Sequence, residues 1–486
     1  MRINKFLLLF LFSGLLFTSC SKDNNDVIDD EVTTDPENLE IEEFVYRGMN
    51  NIYLYKNQIP ELADNYFSNG EDLNEFLASF DGPEDLFYEG LVADEDRFSY
   101  ITPDYIALEN SFSGISTTTG VDYRLYRFSN SNDLFGLVRY IIPNSNAVGK
   151  GIERGDLFTQ INGQDLTIDN YTTLLNSDEI TFHLASISNS TVSETSETVT
   201  ITSQTLTENP ILINKTLDVD GMKVGYIMYN SFIADFDDEL NAAFAELKAE
   251  GISKLILDLR YNGGGRVSSA TRLASMITGQ FDGEIFAKEQ WNEKYQNLFE
   301  SQNNGEDLNI RFTNEIDDGE LINSLNLNDI YIITSSSSAS ASELVINGLK
   351  PYIDVVQVGD TTTGKSQASA TLYDSPDFKR THANPNHTYA IQPLIYHSVN
   401  AKDVSVPFNG IIPEVAIEEN ITNLGVLGDP SEPLLSAALD ALKGTRRFYP
   451  ERNHDFREFS ESGVKEPTYK RMYIDEVPSV PEKIIE

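Results

Sequence analysis

Cysteine is all but missing from this chain. Cys20 is the only one among 486 residues, so no internal disulfide can form and no disulfide framework holds the fold. Basic residues are scarce as well. Lys and Arg number 35 against 77 Asp and Glu, for a formal net charge of −42. A field of that sign repels nucleic acid and anionic lipid and leaves no basic stripe to read phosphates. It serves solubility and says little about chemistry. No cluster of His, Cys and Glu has metal-ligand spacing, so neither a metal nor another cofactor is expected. The five histidines (His183, His382, His387, His397 and His454) lack a recognisable catalytic context and are expected to be surface or structural. There is no internal repeat.

What is present begins with the leader. Arg2 and Lys5 precede an apolar run from Phe6 to Phe17, which is too short for a comfortable membrane span and is followed by small residues. It is predicted to be a signal peptide over 1–19. Cys20 follows Leu16-Phe17-Thr18-Ser19 directly. The arrangement resembles a bacterial lipobox, in which the thiol is acylated and the Cys becomes the mature N-terminus; Phe17 departs from the usual Leu. Residues 20–40 are polar and acidic and read as a flexible tether. They also resemble the acidic export tag of surface lipoproteins in Bacteroidetes-type bacteria. The expected location is therefore the cell envelope, lipid-anchored at the outer membrane, on either its periplasmic or its surface face.

Hydrophobic residues make up 40% and aromatics 10% of the chain, enough to bury sizeable cores, and the length suggests roughly three domains. Residues 41–110 read as helical, with apolar positions 44, 45, 49, 52 and 53 near helical spacing and a second helix over Asp72–Phe80. From 112 to 206, short Val/Ile/Thr/Phe runs broken by Gly, Asn and Ser predict a small β-rich domain. Leu137–Pro143 is a strand, Asn146–Ile152 a short helix or turn, and Gly155–Gly163 a strand closed by an Asn-Gly turn. This block resembles a PDZ domain, with Phe112-Ser113-Gly114-Ile115 where that family's carboxylate loop would lie. The resemblance implies capture of peptide C-termini by strand addition. From 208 to 445 strands and helices alternate: Met222–Tyr229, Asp238–Glu250, Lys254–Leu259, Ile330–Ile333, Ala341–Leu349 and Val355–Val358. That alternation predicts an α/β domain with largely parallel pairing. Residues 446–486 are charged and contain Pro, and their structure is left open.

Three local patterns carry chemistry. Asp258-Leu259-Arg260-Tyr261-Asn262-Gly263-Gly264-Gly265 follows a buried strand, and its glycines let backbone amides approach a ligand closely. No Gly-Lys-Ser/Thr follows, so it is not a phosphate loop. Ser335-Ser336-Ser337-Ser338-Ala339-Ser340-Ala341-Ser342-Glu343 lies between a strand and a helix. There a serine meets the free amides and positive end of the helix, although several of these serines are expected only to cap it. Thr361-Thr362-Thr363-Gly364-Lys365-Ser366-Gln367 places a lysine after a tight Gly turn. To act as a base that lysine must be neutral, which requires a desolvated site.

Taken in this order, the three patterns resemble the carboxyl-terminal processing peptidases, or tail-specific proteases, over roughly residues 40–445. The family pattern is a strand ending in Asp-Leu-Arg-x-Asn-x-Gly-Gly, a Ser-Ala-Ser-Ala-Ser-Glu turn, and a Gly-Lys after the next strand. The resemblance implies a multidomain α/β fold. It consists of an N-terminal helical segment, a PDZ-like domain, and a catalytic core of the crotonase-like, ClpP-like type. It implies a Ser–Lys dyad, with Ser340 as nucleophile and Lys365 as base, and an oxyanion hole from the backbone N–H groups of Ala341 and Gly264, with Gly263 one place off. Many members orient the lysine with a Gln four residues on. That position here is Ser369, and Gln367, at alternate spacing on an expected strand, is the candidate replacement. The implied activity is serine endopeptidase cleavage of proteins or peptides. The competing readings are a peptide-binding surface lipoprotein that has lost turnover, and a Ser-His-Asp hydrolase of small esters. The last is disfavoured because no Gly-x-Ser-x-Gly elbow surrounds Ser340.

Overall fold

Acidic residues open the first helix, and that is where a helix accepts them best. α1 (Glu40–Ile52) carries Glu40, Glu42 and Glu43 in its first turn, against the positive end of its dipole, and buries Phe44, Val45, Met49 and Ile52. α2 (Gly70–Leu77) is capped by Asn69, whose side chain accepts from the N–H groups of Glu71 and Asp72. These elements belong to a computed structural model that describes residues 38–188, 191–316, 319–445 and 456–478. The leader, Cys20, nearly all of the tether and His454 lie outside the described residues. Residues from Leu39 onward form one unit.

The β-rich block is built on β1 (Val121–Phe128), β2 (Leu134–Ile141) and β3 (Leu157–Ile161), followed by the short α3 (Tyr171–Leu175) and the long hairpin β4 (Glu179–Ser188) and β5 (Thr191–Thr202). Its strands pair antiparallel in the order β1-β2-β3-β4-β5. They enclose a core of their own that includes Val138, Phe158, Phe182 and Ile201. Asn146–Ile152 forms turns. The Phe112–Ile115 stretch departs from its expected role as a carboxylate loop. Phe112 ends a helix, the N–H groups of Ser113 and Gly114 donate to Glu109 and Ser111 carbonyls, and the strand Ile115–Thr118 pairs with Gln204–Thr207. Its amides are thus spent locally and present no open nest.

The remaining chain supplies β6 (Ile211–Val219), β7 (Met222–Tyr229), α4 (Asp237–Glu250), β8 (Lys254–Asp258), β9 (Gly265–Arg266), α5 (Val267–Thr278), β10 (Ile285–Trp291), β11 (Asn309–Arg311), β12 (Asp329–Thr334), α6 (Ala341–Leu349), β13 (Asp354–Gly359), β14 (Gln367–Ser369), β15 (Leu394–Asn400), β16 (Val415–Ala416) and α7 (Pro433–Leu442). A six-stranded sheet runs β6-β7-β8-β12-β13-β16, parallel throughout except for the β6–β7 hairpin. The apolar strands β7, β8 and β12 are buried at its centre, as continuous apolar runs in parallel sheets are. Of the two C-terminal strands, β17 (Phe456–Glu461) and β18 (Met472–Tyr473), a second six-stranded sheet contains only β18. Its order is β9-β18-β14-β15-β10-β11. β17 instead pairs antiparallel with β1 at the edge of the β-rich block. The N-terminal helices share one hydrophobic core with the α/β domain. Gly48 of α1 is pressed against Leu372 and Ile391, and both sets of residues belong to a single buried cluster.

Among the described residues no helix is long and apolar enough to cross a membrane, and no group of three or more His, Cys, Asp or Glu is placed to hold a metal ion.

Candidate active site

The glycine-rich turn is set on a buried ion cluster. Arg260 is 0% exposed and lies between Asp258, also fully buried, and Glu432, with Glu419 on its outer side. Its guanidinium donates to Asp258 Oδ2 at 2.7 Å and to both Glu432 oxygens at 2.8 and 3.0 Å. The Asp-Leu-Arg part of the motif is therefore a foundation. Two acidic residues of the cluster come from far along the chain, and burial is tolerable only because each charge is answered.

The serine-rich turn is tied to that loop. Ser335 Oγ donates to the Arg260 carbonyl, Ser338 Oγ to the Leu259 carbonyl at 2.8 Å, and Ser342 Oγ to the Asn262 carbonyl at 3.0 Å. These serines bridge two motifs; they do not cap the helix as expected. Ser340 is the residue left out. It has φ +63° and ψ −113°, a strained conformation for a residue with a β-carbon. Its Oγ is buried with no hydrogen-bond partner. Gly264, at φ +111°, lies directly against it. A β-carbon on Gly264 would stand 2.8 Å from both the Ser340 β-carbon and the Arg471 carbonyl oxygen, so only glycine fits.

Lys365 reaches the same place from the next crossover. Glu343, fully buried in the first turn of α6, accepts the Ser340 N–H at 2.8 Å and the Lys365 N–H at 2.9 Å on one oxygen. It accepts the Gly364 N–H at 2.7 Å on the other, which Thr362 Oγ1 shares. One carboxylate thus clamps the serine turn to the lysine loop. Burial pushes the Glu343 carboxyl up, and these hydrogen bonds offset part of that. The Lys365 Nζ is fully buried, makes no hydrogen bond, and stands 4.8 Å from the centre of the Phe98 ring. Burial, helped by the Arg471 guanidinium, holds its pKa well below the ordinary 10.5 against the opposing charges of Asp96 and Glu343. The Ser340 Oγ and Lys365 Nζ are not hydrogen-bonded to each other, and the two residues are 1% and 0% exposed.

Two expected roles are corrected. Gln367 does not orient the lysine. Its amide donates to the Tyr55 hydroxyl at 3.1 Å, and its ladder partner is His397. The alternate-spacing argument required Lys365 to lie on the strand, but β14 starts at Gln367 and Lys365 precedes it in irregular backbone. The Gly264 N–H is likewise engaged, donating to Asn262 Oδ1 at 2.8 Å. Gly263 N–H has no acceptor among the described hydrogen bonds, so the position one place off is the free one. Ala341 opens α6, where the first amides have no intrahelical acceptor. His397 is closer to the site than expected, its ring against Ser366 Oγ at 3.3 Å, and burial lowers its pKa from 6.5.

Several neighbours carry little or no local signal in the sequence. Glu343 stands three residues after Ser340, the spacing of a capping box, and that spacing was the available signal. Phe98 and Asp96 come from the loop after the N-terminal helices, and Arg471 from the C-terminal region; no local pattern marks them. Asp96 is fixed by the N–H groups of Phe98 and Ser99 and by the Tyr53 hydroxyl.

Residues 223–390 match Peptidase family S41, and residues 40–100 match the Peptidase S41 N-terminal domain. A carboxyl-terminal-processing protease of Picosynechococcus sp. is 26% identical over 343 residues, which cover 66% of this chain and 73% of that protein. The chloroplastic C-terminal processing peptidase of Tetradesmus obliquus is 23% identical over 330 residues, 64% of this chain and 61% of that protein. A solved structure from Bacteroides fragilis, assigned to the S41 proteases, shares the fold with a TM-score of 0.61 at 24% identity, covering 82% of this chain and 97% of that one. Motifs, matched segments and fold agree: the chain carries segments that match peptidase family S41, is similar to the carboxyl-terminal processing peptidases, and shares the fold of a solved S41 protease.

Proposed function

We propose that the protein is a serine endopeptidase that cleaves proteins or peptides through an acyl-enzyme, with Ser340 as nucleophile and Lys365 as general base. The observation that carries this reading is a pair of buried, unpartnered polar atoms, Ser340 Oγ and Lys365 Nζ, on two loops clamped to one Glu343 oxygen. Buried polar groups are almost always paired, and exceptions gather where chemistry is done. A desolvated amine is neutral at moderate pH and can take the hydroxyl proton.

In the first half-reaction Oγ bonds to the scissile carbonyl carbon while its proton passes to Lys365 Nζ. The oxyanion meets the Ala341 amide at the start of α6 and an amide of the glycine-rich turn. The C–N bond then breaks, and Lys365 returns the proton to the departing amine. In the second half-reaction water loses a proton to Lys365 and attacks the ester carbonyl carbon; the C–Oγ bond then breaks as Lys365 returns that proton to Ser340 Oγ.

The pH dependence follows from the same group. Because the lysine pKa is lowered, kcat/KM is expected to rise with pH through an inflection well below 10.5. A fluorophosphonate probe is expected to label Ser340 along the same curve and to leave Ser340→Ala unlabelled. A protein that folds, binds peptides and is never labelled would be the inactive surface lipoprotein instead.

The leader supports a lipid anchor in the cell envelope, since Cys20 follows a short apolar run and begins an acidic tether. Mass spectrometry of the mature N-terminal peptide is expected to find diacylglyceryl on Cys20; a free thiol on the mature protein would refute it.

A further inference from the structure

The C-terminal region lies along the β-rich block as a bound peptide would. β17 adds antiparallel to the edge of β1, with Phe456 opposite Phe128 and Glu461 opposite Arg124. Phe459, at the irregularity in that ladder, packs edge-on against Tyr171 at the start of α3, 5.3 Å between ring centres. A strand held between a sheet edge and a short helix is the way strand-adding peptide modules hold a ligand.

The end of the segment enters a built cradle. Glu461 is buried, and its carboxylate is shared by Arg124 of β1, Arg139 of β2, Tyr469 and Ser337 of the serine turn, the last at 2.5 Å. Arg124 and Arg139 are themselves 8% and 4% exposed. Arg139 is further fixed by Asp122, at 2.5 and 3.0 Å. Burial pushes the Glu461 carboxyl up, but Arg139 and Arg124 more than offset it and hold it well below 4.5. A pocket lined by Arg139, Ser337, Gly263, Gly264 and Glu461 joins this cradle to the glycine-rich turn.

Elsewhere in β17, Phe456 is buried against Tyr126 and Phe135, and Glu458 pairs with Arg124 and accepts from Ser336 Oγ at 2.8 Å. Residues 457–459 are exposed, and Arg457 stands directly opposite Arg127, a like-charge cross-strand pair that weakens the ladder. β18, by contrast, is fully buried between β9 and β14. The chain beyond the segment is thus anchored independently of the β1 edge.

We propose that residues 456–461 are an internal ligand of the β1 edge, and that the Arg124–Arg139–Ser337 cradle is a carboxylate subsite which an incoming peptide fills by displacing Glu461. The ligand class is an extended peptide bearing a carboxylate, either its C-terminal group or an acidic side chain. The internal segment then competes as a tethered peptide at high effective concentration. Its effect on cleavage rests on the peptidase reading; its effect on binding does not.

The test locks the segment in place. Arg127→Cys and Arg457→Cys are directly opposite across an antiparallel pair, within reach of a disulfide. They are introduced into the full chain with Cys20→Ser to prevent mispairing. Binding is read in the Ser340→Ala background with a fluorescent decapeptide ending in a free carboxylate, and with the same peptide amidated. The reduced protein is expected to bind the free-acid peptide at least about ten-fold more tightly than the oxidised one. The amidated peptide is expected to gain no such advantage unless an acidic side chain is added to it. Arg124→Gln in the reduced protein is expected to remove the preference for the free acid. Equal affinity in oxidised and reduced protein, or no preference for a carboxylate, would overturn the proposal. With Ser340 present, cleavage is expected to rise on reduction. Binding that responds as described without any cleavage would sink the peptidase reading alone. Cleavage with binding indifferent to the lock would sink only this one.

Discussion

Ser340→Ala leaves a folded protein that no longer cleaves peptide bonds. The expected loss in kcat is about 10^4-fold or more, the scale on which removal of a serine nucleophile acts elsewhere. The fold should survive, because Ser340 Oγ makes no hydrogen bond that the substitution would break. The backbone clamp from its N–H to Glu343 is untouched. Lys365→Met is expected to lose activity on the same scale while changing stability in the opposite sense to most core substitutions. The lysine pKa in the folded chain is lowered below 10.5, so at neutral pH the unfolded chain binds a proton that the folded chain resists. That difference costs folding free energy at neutral pH and vanishes as pH rises to the unfolded value. Lys365→Met should therefore raise the thermal midpoint at pH 7, with the gain shrinking toward pH 10.5. Two measurements decide it: peptide cleavage by the three proteins, and midpoints as a function of pH. Wild-type cleavage by Ser340→Ala would end the assignment. A Lys365→Met chain with full activity would remove the lysine from it.

Arg260→Met is expected to destabilise the chain by about 3–5 kcal/mol, the usual result of removing one partner from a buried ion cluster. Asp258 and Glu432, nearly or fully buried, would keep their charges with the guanidinium gone. The Tyr226 hydroxyl, which donates to Asp258 at 2.7 Å, answers only part of that charge. Arg260→Lys should recover part of the loss, since an ammonium supplies charge without the planar fork. The acid limb gives a second readout. Burial raises the Glu419 carboxyl, but Arg154 and then Arg260 pull it to about 2. The stability it contributes is full above its ordinary 4.5 and disappears as pH falls through about 2. In Arg260→Met that acid loss should be smaller and be complete at higher pH. An unchanged denaturation midpoint would show that the cluster is not the foundation of the glycine-rich turn. Activity should fall with stability here, because Ser335 Oγ bonds the Arg260 carbonyl and so links the cluster to the serine turn.

Much of the fold was legible because it is written locally. The apolar runs at 222–229, 254–259 and 330–333 form central strands, and Ala341–Leu349 forms a helix with the bounds read from sequence. The second sheet was not legible. Its strands β9, β14 and β18 are two or three residues long, too short for any period to register. Gln367 failed for a related reason: an alternation argument needs a strand under both residues, and the strand begins two residues too late for Lys365 to share it.

By itself the sequence determined which chemistry this chain can attempt. Three short motifs in fixed order bring a serine, a lysine and a glycine turn to the ends of neighbouring strands, because strand and turn propensities act over a few residues and are read off directly. Only the tertiary structure decided what surrounds them. Phe98 and Asp96 arrive from the N-terminal loop, Glu432 and Glu419 from the far end of the α/β domain, and Arg471 and Glu461 from the C-terminal region. Desolvation and charge pairing depend on distance in space, and separations of hundreds of residues leave no trace in local pattern. The lowered pKa of Lys365, on which the proposed chemistry turns, is a property of that assembled pocket.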